Sequence, residues 1–120
     1  MKKIVVSAWI SSALTLCAVY LFAAPAAEPA YKMVLENARV EVTERIVAPG
    51  GERVPFIRET DQVIVFLDET KYERIDAGSG ERTVRSRKAG EAIWHFKGEN
   101  APKLVNVDSK PFRSLVIAIK

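Results

Sequence analysis

From residue 31 to the C-terminus, short apolar runs alternate with turn-forming residues, and no ten-residue window sustains a helical period of 3.6. The turns are chemically specific: Pro49-Gly50-Gly51, Asp76-Ala77-Gly78-Ser79-Gly80, Lys88-Ala89-Gly90, Lys97-Gly98-Glu99-Asn100 and Asp108-Ser109-Lys110-Pro111. Between them the pattern predicts nine strands: Tyr31 to Leu35, Arg39 to Val47, Arg53 to Phe56, Gln62 to Leu67, Tyr72 to Ile75, Thr83 to Arg87, Ala92 to Phe96, Leu104 to Val107 and Phe112 to Ile119. Short strands at this spacing mean an all-β sandwich or barrel. In the second strand Val40 and Val42 are expected inward and Glu41 and Thr43 outward. The runs Val63 to Leu67 and Leu115 to Ile119 are apolar on both faces, as for strands covered on each side or packed against a second subunit, so a homodimer is one expected partner.

The first quarter of the chain reads differently. Met1-Lys2-Lys3 is a positive end, Ile4 to Phe22 is uncharged, and Ala24-Pro25-Ala26 is an A-x-A cleavage pattern. Residues 1–26 therefore read as a signal peptide, a helical segment that directs a periplasmic or secreted domain, with Ala27 the first mature residue. The uncharged run of 19 residues exceeds the usual signal core of about 7 to 15, so an uncleaved anchor holding the domain outside the cytoplasm is the alternative. Membrane contact is expected in that case alone. Leu16 before Cys17 is too large for a lipoprotein signal. Residues 27–30 form a linker and residues 31–120 one domain.

Charge and cysteine usage narrow the chemistry. The formal charge of +3 falls to +1 once Lys2 and Lys3 are removed, which excludes the clustered excess that nucleic acid requires. Cys17 is the sole cysteine, so the mature domain carries neither a disulfide nor thiol chemistry. His95 is the sole histidine, which excludes any site built on two or three imidazoles.

The glycine turns carry a resemblance. The mature region is similar to small single-domain cupins, whose first motif runs G-x5-H-x-H-x3-E-x6-G. Started at Gly50, that motif places Phe56, Arg58 and Gln62 where two histidines and a glutamate would stand. The second motif, G-x5-P-x-G-x2-H-x3-N, starts at Gly90, puts Phe96 at the proline, keeps Gly98 and puts Ala101 at the third histidine. Its asparagine falls at Val105, with Asn106 one residue late. The resemblance implies a jelly-roll β-barrel over residues 31–120. The departures imply no metal and no cofactor: Phe56 and Ala101 have no lone pair to donate, and Arg58 repels a cation.

What replaces the metal is read as a polar or anionic ligand site. By the period of two, Phe56, Arg58 and Gln62 share one face that looks into the barrel, and a guanidinium beside an aromatic ring and an amide suits a carboxylate or phosphate. The alternative is an Arg58 paired at the mouth with Glu59, Asp61 or Glu91. Trp94 and Phe96 are expected as core or pocket wall. His95 is either structural, packed or exposed on the face opposite Trp94, or a general base, the latter needing a carboxylate, or Tyr72, beside it. The run Arg82, Arg85, Arg87, Lys88 reads as a solvated face, with an acidic surface partner as the alternative. Three functions follow: a metal-free binder or accessory interaction module, a metal-independent isomerase or lyase using His95, and a structural module with a filled barrel.

Overall fold

The computed structural model describes residues 26–120. The expected signal segment, its cleavage point and Cys17 lie outside the described residues, Ala26 excepted. Eleven strands form: β1 (Ala30–Glu36), β2 (Val40–Val47), β3 (Glu52–Arg53), β4 (Phe56–Ile57), β5 (Asp61–Phe66), β6 (Thr70–Ile75), β7 (Arg82–Arg87), β8 (Ala92–His95), β9 (Asn100–Ala101), β10 (Lys103–Asn106) and β11 (Phe112–Ile119). The architecture is all-β. One sheet has the order β1-β2-β11-β5-β8, a second β3-β10-β6-β7, and a ribbon pairs β4 with β9. Apart from the hairpins β1–β2 and β6–β7, each strand is followed by one in a different sheet, and the two larger sheets face each other as a barrel.

Two strands differ from the sequence reading. The single strand expected at Arg53 to Phe56 is broken at Val54-Pro55, its first half in the four-stranded sheet and its second in the ribbon. Proline has no N–H for a ladder, which makes Pro55 the natural place to change sheets. The ribbon partner, Asn100–Ala101, lies where a turn was expected to end. The proposed linker is also drawn into the domain: the Ala27 carbonyl accepts a hydrogen bond from Glu52 N–H at 2.9 Å, and Pro29 lines the central cavity.

The sheets meet on a small apolar core of Val47, Ile64, Phe66, Tyr72, Phe112 and Val116. Tyr72 on β6 stacks on Phe66 of β5, with centroids 6.1 Å apart, and tilts against Phe112 of β11 at 6.4 Å. This triplet spans the gap between the sheets, and each aromatic pair adds about 0.5–1.5 kcal/mol to the area it buries. At the base of the barrel Asn106, 1 % exposed, donates through Nδ2 to the carbonyls of Val47 and Lys110 and accepts from Asp108 N–H. It ties β10, β2 and the final turn together with every polar bond satisfied.

The faces of β2 are the reverse of the expectation. Thr43 is paired with Val116 and Arg45 with Ser114, and directly paired residues share a face. Val116 and Ser114 are buried inside, so Glu41, Thr43 and Arg45 point inward. Val42 lies on the outside in a row with Ile117 and Val63. The cause is the unusual polarity of the interior: this barrel puts charge within and aliphatic side chains on the outer face of its larger sheet.

Candidate functional site

Above the aromatic triplet the barrel encloses a cavity of about 90 Å³. Its wall holds five arginines: Arg45 on β2, Arg53 on β3, Arg58 after β4, Arg74 on β6 and Arg87 on β7. Strand register puts them there. Arg53 and Arg74 flank Leu104 in one row across β3, β10 and β6, and Arg87 is paired with the buried Thr70. No carboxylate lines this cavity among the described residues. A wider groove, lined by Tyr31, Glu41, Thr43, Phe56 and Gln62 among others, shares Arg45 and Val116 with the cavity and so adjoins it.

The guanidiniums are only partly satisfied by the protein. Arg58, 4 % exposed, donates through Nη1 to Gln62 Oε1 at 2.9 Å. Arg53 donates through Nη2 to the Pro102 carbonyl at 2.7 Å. Arg87 reaches Tyr72 Oη at 3.3 Å and Glu91 Oε1 at 2.9 Å. The Phe56 ring lies under both Arg53 and Arg58, at 5.2 and 5.5 Å, and Arg45 lies over Tyr31. Yet the Nε groups of Arg45, Arg53 and Arg58 are buried with no acceptor among the described residues. Burial, reinforced by the charges of Arg58 and Arg45, pushes the Arg53 guanidinium down to about 10. Arg45 and Arg58 are lowered chiefly by burial too, Arg58 despite the nearby Glu99 carboxylate. At neutral pH all remain charged.

His95 completes the wall. It is paired with Gln62 across β8 and β5, and therefore points inward. Its Nδ1 lies 3.0 Å from Glu99 Oε2. The turn that brings Glu99 there is built on Gly98, whose φ of 88° is a left-handed conformation that favours glycine. That turn is clamped to the arginine: Gly98 N–H donates to the Arg58 carbonyl at 2.8 Å and Arg58 N–H to the Glu99 carbonyl at 3.0 Å. Glu99 is held below the usual carboxylate range, first by its bond to His95, and is ionised. An ionised carboxylate only accepts, so the proton of neutral His95 sits on Nδ1 and the Nε2 lone pair is free. Burial lowers the His95 pKa; the Glu99 hydrogen bond opposes this, and the charges of Arg58 and Arg74 add to it.

Of the residues singled out from sequence, Arg58 lines the cavity and Phe56 and Gln62 line the adjoining groove, with Gln62 bonded to Arg58. Trp94 and Phe96 line neither. They flank the inward His95, so period two turns them out: they are 47 % and 61 % exposed and pack edge-to-face on each other at 6.0 Å. Arg58 bonds neither Glu59, Asp61 nor Glu91; its partner is Gln62. Tyr72 faces the same cavity, but its hydroxyl takes up Arg87 rather than His95. Within the basic run, Arg82, Arg85 and Lys88 are exposed as expected, while Arg87 belongs to the cavity wall. Sequence reasoning missed Arg45, Arg53 and Arg74 altogether; the available signal was Arg45 two residues before buried Val47, and Arg74 two after buried Tyr72.

No protein-family model matches the chain, and no curated protein does. Solved structures do match it. A cupin domain from Bordetella pertussis superposes with a TM-score of 0.72 at 21% identity, over 81% of this chain and 98% of that one. The fold is cupin-like. A polyketide cyclase from Streptomyces resistomycificus matches at a TM-score of 0.60 and 21% identity, over 80% and 70% of the two chains. An uncharacterised double-stranded β-helix protein from Klebsiella pneumoniae matches at 0.57 and 24%, over 76% of each. At these identities the likeness is one of fold.

Cupin-like barrels invite a metal, and the residues here do not fit one. The four positions that the cupin motifs give to metal ligands do come together: Phe56 is paired with Ala101, and Arg58 is bonded to Gln62. They offer one amide oxygen, already accepting from a guanidinium. Among the described residues no three His, Cys, Asp or Glu side chains gather to hold an ion. A divalent cation there would face Arg58 and its four neighbours in the wall.

Proposed function

We propose that this cupin-like barrel is a receptor for a small anion, held in the central cavity by the inward arginines. The observation that carries it is the set of three buried guanidinium Nε groups, on Arg45, Arg53 and Arg58, which among the described residues have no acceptor and stand in a wall without a carboxylate. Buried charge of one sign is expensive unless paired, and buried donors without partners add to that. A bound carboxylate or phosphate answers both, since guanidinium N–H groups match its oxygens in charge and geometry. The volume of about 90 Å³, room for about three waters at ~30 Å³ each, favours a compact ligand over a long one. It also weighs against a filled barrel. The A-x-A leader pattern supports an exported setting for this receptor.

Calorimetric titration of the mature domain with inorganic phosphate, malonate and pyruvate tests the reading. Saturable binding by at least one of them, abolished in Arg58→Ala, is the expected result. No heat and no competition with any of the three sinks it.

A further inference from the structure

Beside its arginines the cavity wall holds a titratable group of another kind. His95 lines a cavity walled by guanidiniums, with Nε2 outside its bond to Glu99, and its Nδ1 lies 3.0 Å from the Glu99 carboxylate, on a turn whose Gly98 and Glu99 are both backbone-bonded to Arg58. A histidine that served only to fill space would not need a carboxylate behind it, and one that served only as a positive charge would be protonated. Instead burial and the flanking Arg58 and Arg74 keep it neutral. The same turn that positions the anion-facing Arg58 also orients the base, so binding and proton transfer share one scaffold.

We propose that His95 is a general base that removes a proton from the carbon beside a carbonyl in a compact 2-oxo acid, with Glu99 as its positioning residue. The inference rests on the anion reading, which supplies the carboxylate anchor. The step is balanced without metal, oxidant or second substrate. Nε2 takes the proton; the C–H electron pair becomes the carbon–carbon double bond of an enolate; the carbonyl π pair moves to oxygen. The new oxyanion faces guanidiniums already in place, which lowers the barrier because that charge exists only after proton transfer begins. Glu99 offsets the transient positive charge on the ring, and the imidazolium then returns a proton to carbon. Tautomerisation and solvent exchange at that carbon are the observable consequences.

The experiment follows loss of the methyl proton signal of pyruvate, and of the methylene signals of 2-oxobutyrate and oxaloacetate, by NMR in D2O. The mature domain is expected to accelerate exchange of at least one of them over buffer. His95→Gln should lower the protein-dependent rate by about 10²–10⁴-fold, far more than it changes phosphate affinity at pH 7.5. Glu99→Gln should slow exchange and move the acid limb of the pH profile to lower pH, because the carboxylate that raised the His95 pKa is gone. Binding of the oxo acids with no acceleration of exchange overturns the base and leaves the receptor standing. Wild-type exchange in His95→Gln overturns it equally. Failure of every anion to bind overturns both readings together.

Discussion

Arg58 donates to Gln62 Oε1 at 2.9 Å across four residues of chain, and among the described residues this amide is the one side-chain acceptor of that guanidinium. A carboxamide carries no charge, so the pair is hydrogen-bonded yet still positive. Gln62→Glu changes that with little change in shape. It supplies a buried counter-ion to Arg58, and charge-assisted pairs are roughly twice as strong as neutral ones. The variant is expected to melt higher than the wild type without ligand and to bind phosphate at least about tenfold more weakly, a difference of about 1.4 kcal/mol. Paired thermal melts and titrations check both signs; a variant that melts lower and binds better contradicts the account of the site.

The same logic fixes what an anion does to stability. A ligand that binds only the folded state at 100 times its Kd adds about 2.7 kcal/mol. In a domain of this size each kcal/mol raises Tm by roughly 4–8 °C. Saturating phosphate or malonate is therefore expected to raise Tm by roughly 10 °C or more, whereas the chloride salt at equal ionic strength should not.

His95 gives the two quantities opposite pH dependences. Its folded pKa lies below its unfolded value of about 6.5, so between the two the unfolded chain binds more protons, and stability without ligand falls as pH drops through that window. Anion affinity should do the reverse. Protonated His95 adds a positive charge beside Arg58 and Arg74, with Glu99 the nearest opposing charge, so affinity should rise as pH falls from 7.5 toward 5.5. His95→Gln should flatten both curves in that range, and melts and titrations at stepped pH measure it.

How much of this could be read from the chain follows from where the information lies. Turns are local, and the glycines at Gly50, Gly90 and Gly98 do adopt the positive φ that made them legible. Strand lengths follow from the turns, which is why most strands stood where the pattern put them. Faces are another matter. Reading Val40 and Val42 inward assumes that apolar residues point to the core, and in this barrel the interior is charged. The same assumption misplaced Trp94 and Phe96 and hid the inward His95. The arginine cluster is assembled from five separate segments by pairings of β2 with β11, β3 and β6 with β10, and β7 with β6. No local stretch carries that signal. Arg58 and Gln62 were accessible because both lie on one short segment at a spacing that the cupin motif preserves.

Gly98 is a place where a small change should separate folding from chemistry. A Cβ there meets no atom within 4 Å, so Gly98→Ala introduces no clash; its penalty comes from holding alanine at a φ of 88°. Left-handed backbone at a residue other than glycine costs about 1–3 kcal/mol. Urea titration should show a loss of that order. Because the Gly98–Glu99 turn orients His95, proton exchange should fall by more than phosphate affinity does.

Arg53 poses the sharpest test, because the two explanations of a buried arginine differ in sign. As a structural residue it would stabilise the fold through its bond to the Pro102 carbonyl and its packing over Phe56. As part of an anion site it is held in place at a cost: its guanidinium is pushed down to about 10 by burial and by its neighbours Arg58 and Arg45. Replacing buried charge with an apolar side chain of similar volume is often neutral or stabilising, by about 1–4 kcal/mol. Arg53→Met keeps the bulk, relieves the crowding and gives up one hydrogen bond. We expect the variant to melt at or above the wild type without ligand, and to lose most of the stabilisation that phosphate confers. Functional sites commonly trade stability in this way. A variant that melts several degrees lower and still responds fully to phosphate assigns Arg53 to the scaffold, and moves the site toward Arg45 and Arg58.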